Sequence, residues 1–246
     1  MEYFALQKFE PKSIRTQVAM EIENRIFSGD LKVGERLPSE RELAHELGVS
    51  RSLVNLAILD LESIGFLKTI PRQGTFVADY KNEGTPQMLL SLMVNGVSNN
   101  TAVELFTSLM ETRILLENEC AKRAAENATD SDLELLSNLL EQMRAAKEPA
   151  QFSEANFRFH RALMAASGNI VYAMIFQSFE LVIRYYVSKY FTSTSRMRVS
   201  VSQHENLLKA LVEHDASKAS EAVQIIMHEG ITRLNELFGK KRTQRS

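Results

Sequence analysis

The sequence predicts a mainly α-helical protein in two parts: a small N-terminal helical domain carrying one β-hairpin, and a C-terminal all-α antiparallel helical bundle. Three observations support this. Apolar residues recur at helical spacing through most of the 246 residues. The period shortens toward alternation only between Phe66 and Val77. Beyond a polar stretch from Asp79 to Pro86, which holds Gly84 and Pro86, no strand pattern returns. The expected boundaries are 1–80 for the first domain, 81–100 for a linker and the first helix of the second, and 101–240 for the bundle.

Each N-terminal element has its own signal. Ile14, Val18, Ile22 and Ile26 mark a helix over 14–27, with Ser13 as cap and Gly29 after its end. Ser39 with Glu42 three residues on is a capping box, and Leu43, Ala44 and Leu47 supply the buried face of the helix it opens. Gly48 suits a left-handed helix end, and Val49 can plug the corner. Ser50 caps a third helix whose stripe is Leu53, Val54, Ala57, Ile58 and Leu61, closed by Gly65. Residues 66–70 and 75–77 read as two short strands around the turn Pro71–Gly74. A helix, a tight turn, a second helix and a hairpin together make a winged helix-turn-helix.

In the bundle, helices are expected at about 87–95, 101–126, 130–147, 150–166, 170–191, 195–213 and 215–238. The breaks are Gly96–Asn100, Thr129–Asp130, Pro149, Ser167–Asn169 and Asp215. Thr129 or Ser131 caps the helix that holds Leu133, Leu136, Leu139 and Leu140.

Composition narrows the function. The single cysteine, Cys120, excludes an intrachain disulfide framework. The N-terminus lacks the apolar stretch of a secretory signal, and no apolar run reaches the ~20 residues of a membrane helix. The expectation is a cytoplasmic protein with no membrane partner. Charge is uninformative: the net charge is −2, and residues 1–80 hold ten Lys/Arg against twelve Asp/Glu. Any case for nucleic acid must rest on where the cations sit.

They sit well. A helix fits the major groove with its N-terminal residues at the base edges. Here the third helix opens Ser50-Arg51-Ser52, with Asn55 one turn on, opposite the apolar stripe. Arg51 can reach two guanine acceptors, and Asn55 can pair with adenine. Ser50 and Ser52 can donate to phosphate. Arg41 can reach phosphate or base, and Gln73 and Gly74 at the hairpin tip can approach the minor groove or backbone.

These residues resemble the GntR family over Ser13 to Val77. The most specific stretches are Leu31 to Ala44, Gly48-Val49-Ser50-Arg51, Gly65-Phe66-Leu67 and Gly74-Thr75-Phe76-Val77. The resemblance implies a transcriptional regulator that binds a palindromic double-stranded operator as a homodimer, with Arg41, Ser50, Arg51, Ser52 and Gly74 among its contacts. Family members often carry Arg where this chain has Asn55, so base preference there is expected to differ.

Three histidines on separate predicted helices bear on the second domain. Asn156 and His160 are four apart on one helix face; His204 and His228 follow apolar stretches on two others. If the helices converge, three imidazoles and an amide oxygen form an ordinary ligand set for a divalent metal ion, zinc first, nickel or manganese otherwise. Residues from about 102 to 232 also resemble the FCD ligand-binding domain of the FadR subfamily, through Met110 to Glu117, Asn156 to His160, Ala166 to Asn169, His204 to Leu211, Asp215 and His228. In metal-binding members an acidic residue and three histidines ligate; the resemblance puts those roles on Asn156, His160, His204 and His228. Asn156 stands where Asp is usual. The resemblance also sets Arg113 against an effector, implies a small carboxylate over an acyl-CoA, and makes repression relieved by ligand the usual sign. A metal-dependent hydrolase would need a general base beside the ion. Glu205 and Glu229 qualify only by chain adjacency, and that reading leaves the winged helix unexplained, so no enzyme activity is expected.

Overall fold

The computed structural model describes residues 13–80, 82–86, 88, 89, 91 and 99–243, with side chains described from 105 to 232 in the second part. The chain divides into two compact units, Met1–Val97 and Ser98–Ser246.

In the first unit, α1 spans Ile14–Ser28, α2 Glu40–Leu47 and α3 Arg51–Ile64. Their ends follow the expected chemistry. The Ser39 hydroxyl accepts from the Glu42 N–H at 3.3 Å, while the Glu42 carboxylate accepts from the Ser39 N–H at 2.8 Å. Gly48 turns the chain at φ 65°, where a side chain would be strained. Two residues later Ser50 accepts from the Leu53 N–H and starts α3. Strands β1 (Leu67–Ile70) and β2 (Gly74–Val77) pair antiparallel, with Leu67 opposite Val77 and Ile70 opposite Gly74. A feature not expected from sequence is that the segment before α2 flanks β2. Leu37 N–H donates to the Thr75 carbonyl, and Val77 N–H donates to that of Glu35.

Val18, Ile22, Leu43, Val54, Ala57, Leu61 and Phe66 fill this core. Burial of each large apolar side chain contributes about 1.5–3 kcal/mol. Ile14 departs from the predicted stripe: it sits in the first turn of α1 and is 54% exposed. Arg15 bridges α1 to α3 through Asp60, with Nε 2.5 Å from Oδ2.

In the second unit the helices are α4 (Asn99–Asn127), α5 (Asp130–Ala145), α6 (Pro149–Ala166), α7 (Ile170–Ser178), α8 (Glu180–Tyr190), α9 (Thr194–Val212) and α10 (Ala216–Thr243). The helix expected over 87–95 lies largely outside the described residues. Thr129 caps α5 in a full capping box with Asp132, and Pro149 opens α6. The main packing pairs are α4 with α10, α5 with α6, α9 with α10 and α4 with α6. Phe106, Phe152, Phe157, Phe159 and Phe176 are fully buried between them. The single helix expected over 170–191 is two, bent by 66° at Phe179. No Gly, Pro or side-chain cap marks that break, so periodicity ran through it.

Candidate functional site

In the N-terminal unit, Arg41, Ser50, Arg51 and Ser52 are exposed and Asn55 is half-buried, all on the opening turns of α2 and α3. One residue organises this edge: Glu40, the first residue of α2. Its Oε2 accepts from Arg51 Nε at 2.8 Å and its Oε1 accepts from Asn55 Nδ2 at 2.9 Å. Those bonds, Arg51's first, hold the Glu40 carboxyl below its ordinary range. The Ser50 and Ser52 hydroxyls lie 3.0 Å apart. Gln73 is exposed at the hairpin tip, and Gly74 follows at φ 121°. A Cβ on Gly74 would stand 2.7 Å from Arg36 Nε, so glycine there lets the Arg36 guanidinium lie against the wing.

In the second unit, three helices each contribute a pair four residues apart: Arg113 and Glu117 from α4, Asn156 and His160 from α6, Ser200 and His204 from α9. All six are buried. The Nε2 atoms of His160 and His204 face each other at 3.2 Å, and Asn156 Nδ2 is 3.2 Å from the same His204 atom. Amide orientation is assigned by hydrogen bonding, and the flipped form places Oδ1 there.

Behind each ring stands an acceptor. His204 Nδ1 is 2.7 Å from the Ser200 carbonyl, and His160 Nδ1 is 2.5 Å from Glu117 Oε2. A carbonyl cannot donate, so His204 Nδ1 carries the proton, while the His160–Glu117 contact is a buried ion pair. Glu117 Oε1 in turn accepts from Arg113 Nε at 2.9 Å and pairs with Nη2 at 2.7 Å. Burial alone would push the Glu117 carboxyl up, but the charges and hydrogen bonds of Arg113 and His160 bring it down to about 2. Burial, then the charge on His160, lowers His204 to about 3. His204 is therefore neutral and presents an Nε2 lone pair.

This cluster opens on a cavity of about 50 Å³ lined by Arg113, Asn156, His160, Ser200 and Gln203, with Tyr186 and Tyr190 among its apolar wall. That holds a few waters or a ligand of a few heavy atoms. Arg113 faces it as expected, but two of its nitrogens are already engaged by Glu117. His228 does not join. It is exposed on α10 and its Nδ1 lies 2.7 Å from the Gln224 carbonyl, while its neighbours Ile226 and Met227 line the cavity. Among the described residues no three His, Cys, Asp or Glu side chains gather in a metal-holding group. The convergent donors are two imidazoles and an amide. Sequence reasoning missed Glu117 and Ser200 as the supports of the two rings. The only available signal was the repeated i, i+4 spacing.

An exposed polar edge at the start of α3 in a winged helix-turn-helix, joined to a helical domain with a buried polar cavity, defines a transcriptional regulator with a DNA-binding domain. Comparison places it more closely. Residues 14–77 match the gntR family of bacterial regulatory proteins, and residues 108–229 match the FCD domain. The chain is 32% identical to the Glc operon transcriptional activator of Escherichia coli over 177 residues, 70% of this chain and 67% of the relative. It is 28% identical to the regulator LutR of Bacillus subtilis, over 80% of this chain and 90% of the relative. The solved structure of Lar, which controls the expression of the Listeria monocytogenes agr system, superposes with a TM-score of 0.62 at 20% identity. That match covers 93% of this chain and 99% of the other. The chain belongs to the GntR family of transcriptional regulators, in the FadR-like group with an FCD domain. Its relatives are regulators of transcription, not enzymes. No single helix among the described residues is long and apolar enough to cross a membrane.

Proposed function

We propose that this regulator is a homodimeric repressor of a metabolic operon, which binds a palindromic operator and senses a small carboxylate at a metal-containing pocket in its FCD domain. The observation that carries the sensing half is the 3.2 Å approach of the His160 and His204 Nε2 atoms. With His204 neutral, lone pairs at that distance repel unless a proton or a cation lies between them. Two nitrogens bound tetrahedrally to one ion at the usual Zn–N length of about 2.0–2.1 Å would sit about 3.3–3.4 Å apart, close to the observed spacing. His204 is also held through its Nδ1 by the Ser200 carbonyl, and His160 faces the Glu117 carboxylate, the kind of second contact that metal-ligating histidines ordinarily make.

The donors thus fit a divalent cation held by Asn156, His160 and His204, zinc first and nickel or manganese after it. When bound, the ion would supply positive charge and open coordination positions for an anionic ligand. With no Asp among the three donors, the ion would be offset only from behind, by the Glu117 carboxylate against His160, so the pocket would favour an anion while holding the metal less tightly. Arg113 offers the free part of its guanidinium to a carboxylate, and Ser200 and Gln203 offer polar contacts on the cavity wall. Tyr186 and Tyr190 limit ligand size. Ligand binding draws on side chains of α4, α6 and α9 together, and a coupling of about 1–3 kcal/mol would change operator occupancy severalfold or more. The repressing sign, the palindrome and the dimer rest on the family resemblance.

The test is DNA release. Fluorescence anisotropy on a duplex selected by the protein would be measured against short hydroxy acids and sugar acids, with and without added zinc. Release by at least one acid in wild type, lost in both Arg113→Ala and His204→Ala, is expected. A release that both variants retain would overturn the assignment of this pocket.

A further inference from the structure

Arg51 and Asn55 are the two side chains best placed to read bases, and neither stands free. A single carboxylate, that of Glu40 on the preceding helix, binds both at once, with Oε2 on Arg51 Nε at 2.8 Å and Oε1 on Asn55 Nδ2 at 2.9 Å. From this we infer that Glu40 is a specificity-determining positioning residue, which aims Arg51 and Asn55 at base edges without itself touching DNA. The inference rests on the reading of the α3 start as the base-reading edge.

The chemistry of what Glu40 leaves unbound supports it. Guanidinium has five N–H donors in a fixed fork. With Nε occupied, the two terminal nitrogens of Arg51 remain, and a pair of donors is what the O6 and N7 acceptors of guanine require. Carboxamide offers two N–H donors and one oxygen. With one N–H of Asn55 occupied, the other N–H and Oδ1 remain, and adenine needs one donor and one acceptor at N7 and N6. So the carboxylate uses the atoms that recognition does not need and leaves those that it does. Geometry adds to this. The Arg51 side chain is 73% exposed and would otherwise sample many rotamers, whereas Glu40 is 29% exposed and fixed at the capped start of α2. Charge adds a further effect, because Glu40 offsets Arg51 and weakens the pull of this edge on any phosphate, whatever the sequence. A domain whose acidic residues outnumber its basic ones is consistent with selectivity obtained this way.

A selection from a random 30-base-pair duplex library, sequenced after each round, would be run with wild type, Glu40→Gln, Glu40→Ala, Arg51→Ala and Asn55→Ala. Gln keeps the shape of Glu but can accept from only one of the two readers. The wild type is expected to enrich a defined motif. Both Glu40 variants should lose preference at the same base positions that the Arg51 and Asn55 variants lose, with the ratio of selected to scrambled duplex affinity falling about tenfold. Affinity for scrambled duplex should rise in the Glu40 variants and become steeper in its salt dependence, a change that damage to the fold would not produce. Glu40→Gln guards against loss of the α2 start in Glu40→Ala. An unchanged motif in Glu40→Gln, alongside a degraded one in Arg51→Ala and Asn55→Ala, overturns the inference alone. A full wild-type motif retained by Arg51→Ala and Asn55→Ala together would instead overturn the reading of α3 on which it rests.

Discussion

His160 and His204 lie 44 residues apart in sequence on different helices, yet their Nε2 atoms meet at 3.2 Å, each ring backed by its own acceptor. Glu117 holds one and the Ser200 carbonyl the other. A pair of imidazoles locked in this way has little freedom to turn away from whatever lies between them, and the first consequence concerns metal.

Protein purified without chelator is expected to carry about one divalent ion per chain by elemental analysis, and His204→Ala to carry almost none. Asn156→Asp adds a negative ligand and should slow loss of the ion to a chelator by tenfold or more. His228→Ala should retain wild-type content, because His228 lies outside the cluster. If neither wild type nor Asn156→Asp holds any metal, the bridging species is a proton and the metal proposal fails.

The exposed edge at the start of α3 and most helix ends were legible in the sequence, and the buried cluster only in part. Ser39 with Glu42, Ser50 with Leu53, and Thr129 with Asp132 are local signals: a side chain and a backbone group three residues away settle each. Asn156 and His160 were legible as a pair because one helix turn sets their relation. Convergence of Glu117, His160 and His204 depends on how three helices pack, and no local pattern encodes that. His228 fails for the same reason: an exposed histidine and a buried one follow similar apolar stretches, and two positions along α10 rotate a side chain by roughly 200°. The break at Phe179 carries no turn residue, and the partners of Glu40, Arg51 and Asn55, lie on the next helix, beyond any local pattern.

Acid should destabilise the metal-free protein in a defined window. His204 titrates at about 3 in the folded chain against an ordinary 6.5, so below pH 6.5 the unfolded chain takes up a proton that the folded chain refuses. Stability is therefore intact above 6.5 and falls as pH drops toward 3. Glu117, at about 2 against 4.5, adds a second loss below 4.5. Between pH 6 and 4.5 the His204 contribution alone approaches about 1.4 kcal/mol per pH unit. Urea unfolding at a series of pH values checks this, and His204→Gln should flatten that limb while leaving the steeper fall below 4.5.

Glu117 is fully buried and Arg113 nearly so. Glu117→Ala leaves a buried guanidinium without its carboxylate, and a loss of about 3–5 kcal/mol in unfolding free energy is expected. Arg113→Leu combined with Glu117→Ala should recover part of that loss. If the double variant is as unstable as the sum of the single variants, the two side chains are not coupled.

Gly74→Ala meets two obstacles, φ 121° and an Arg36 nitrogen 2.7 Å from the new Cβ. A destabilisation of about 1–3 kcal/mol is expected by thermal or urea unfolding. DNA affinity should fall as Arg36 is pushed from the wing. An unchanged unfolding curve would show that the hairpin tip relaxes freely.

The central claim is that the exposed edge led by Arg51 reads base sequence in duplex DNA. Selection of sheared genomic fragments by the purified protein, with wild type and Arg51→Glu run side by side, tests it most directly. Wild type should enrich a small set of fragments sharing one palindromic motif, and Arg51→Glu should enrich none. Enrichment of the same fragments by both proteins would contradict the account.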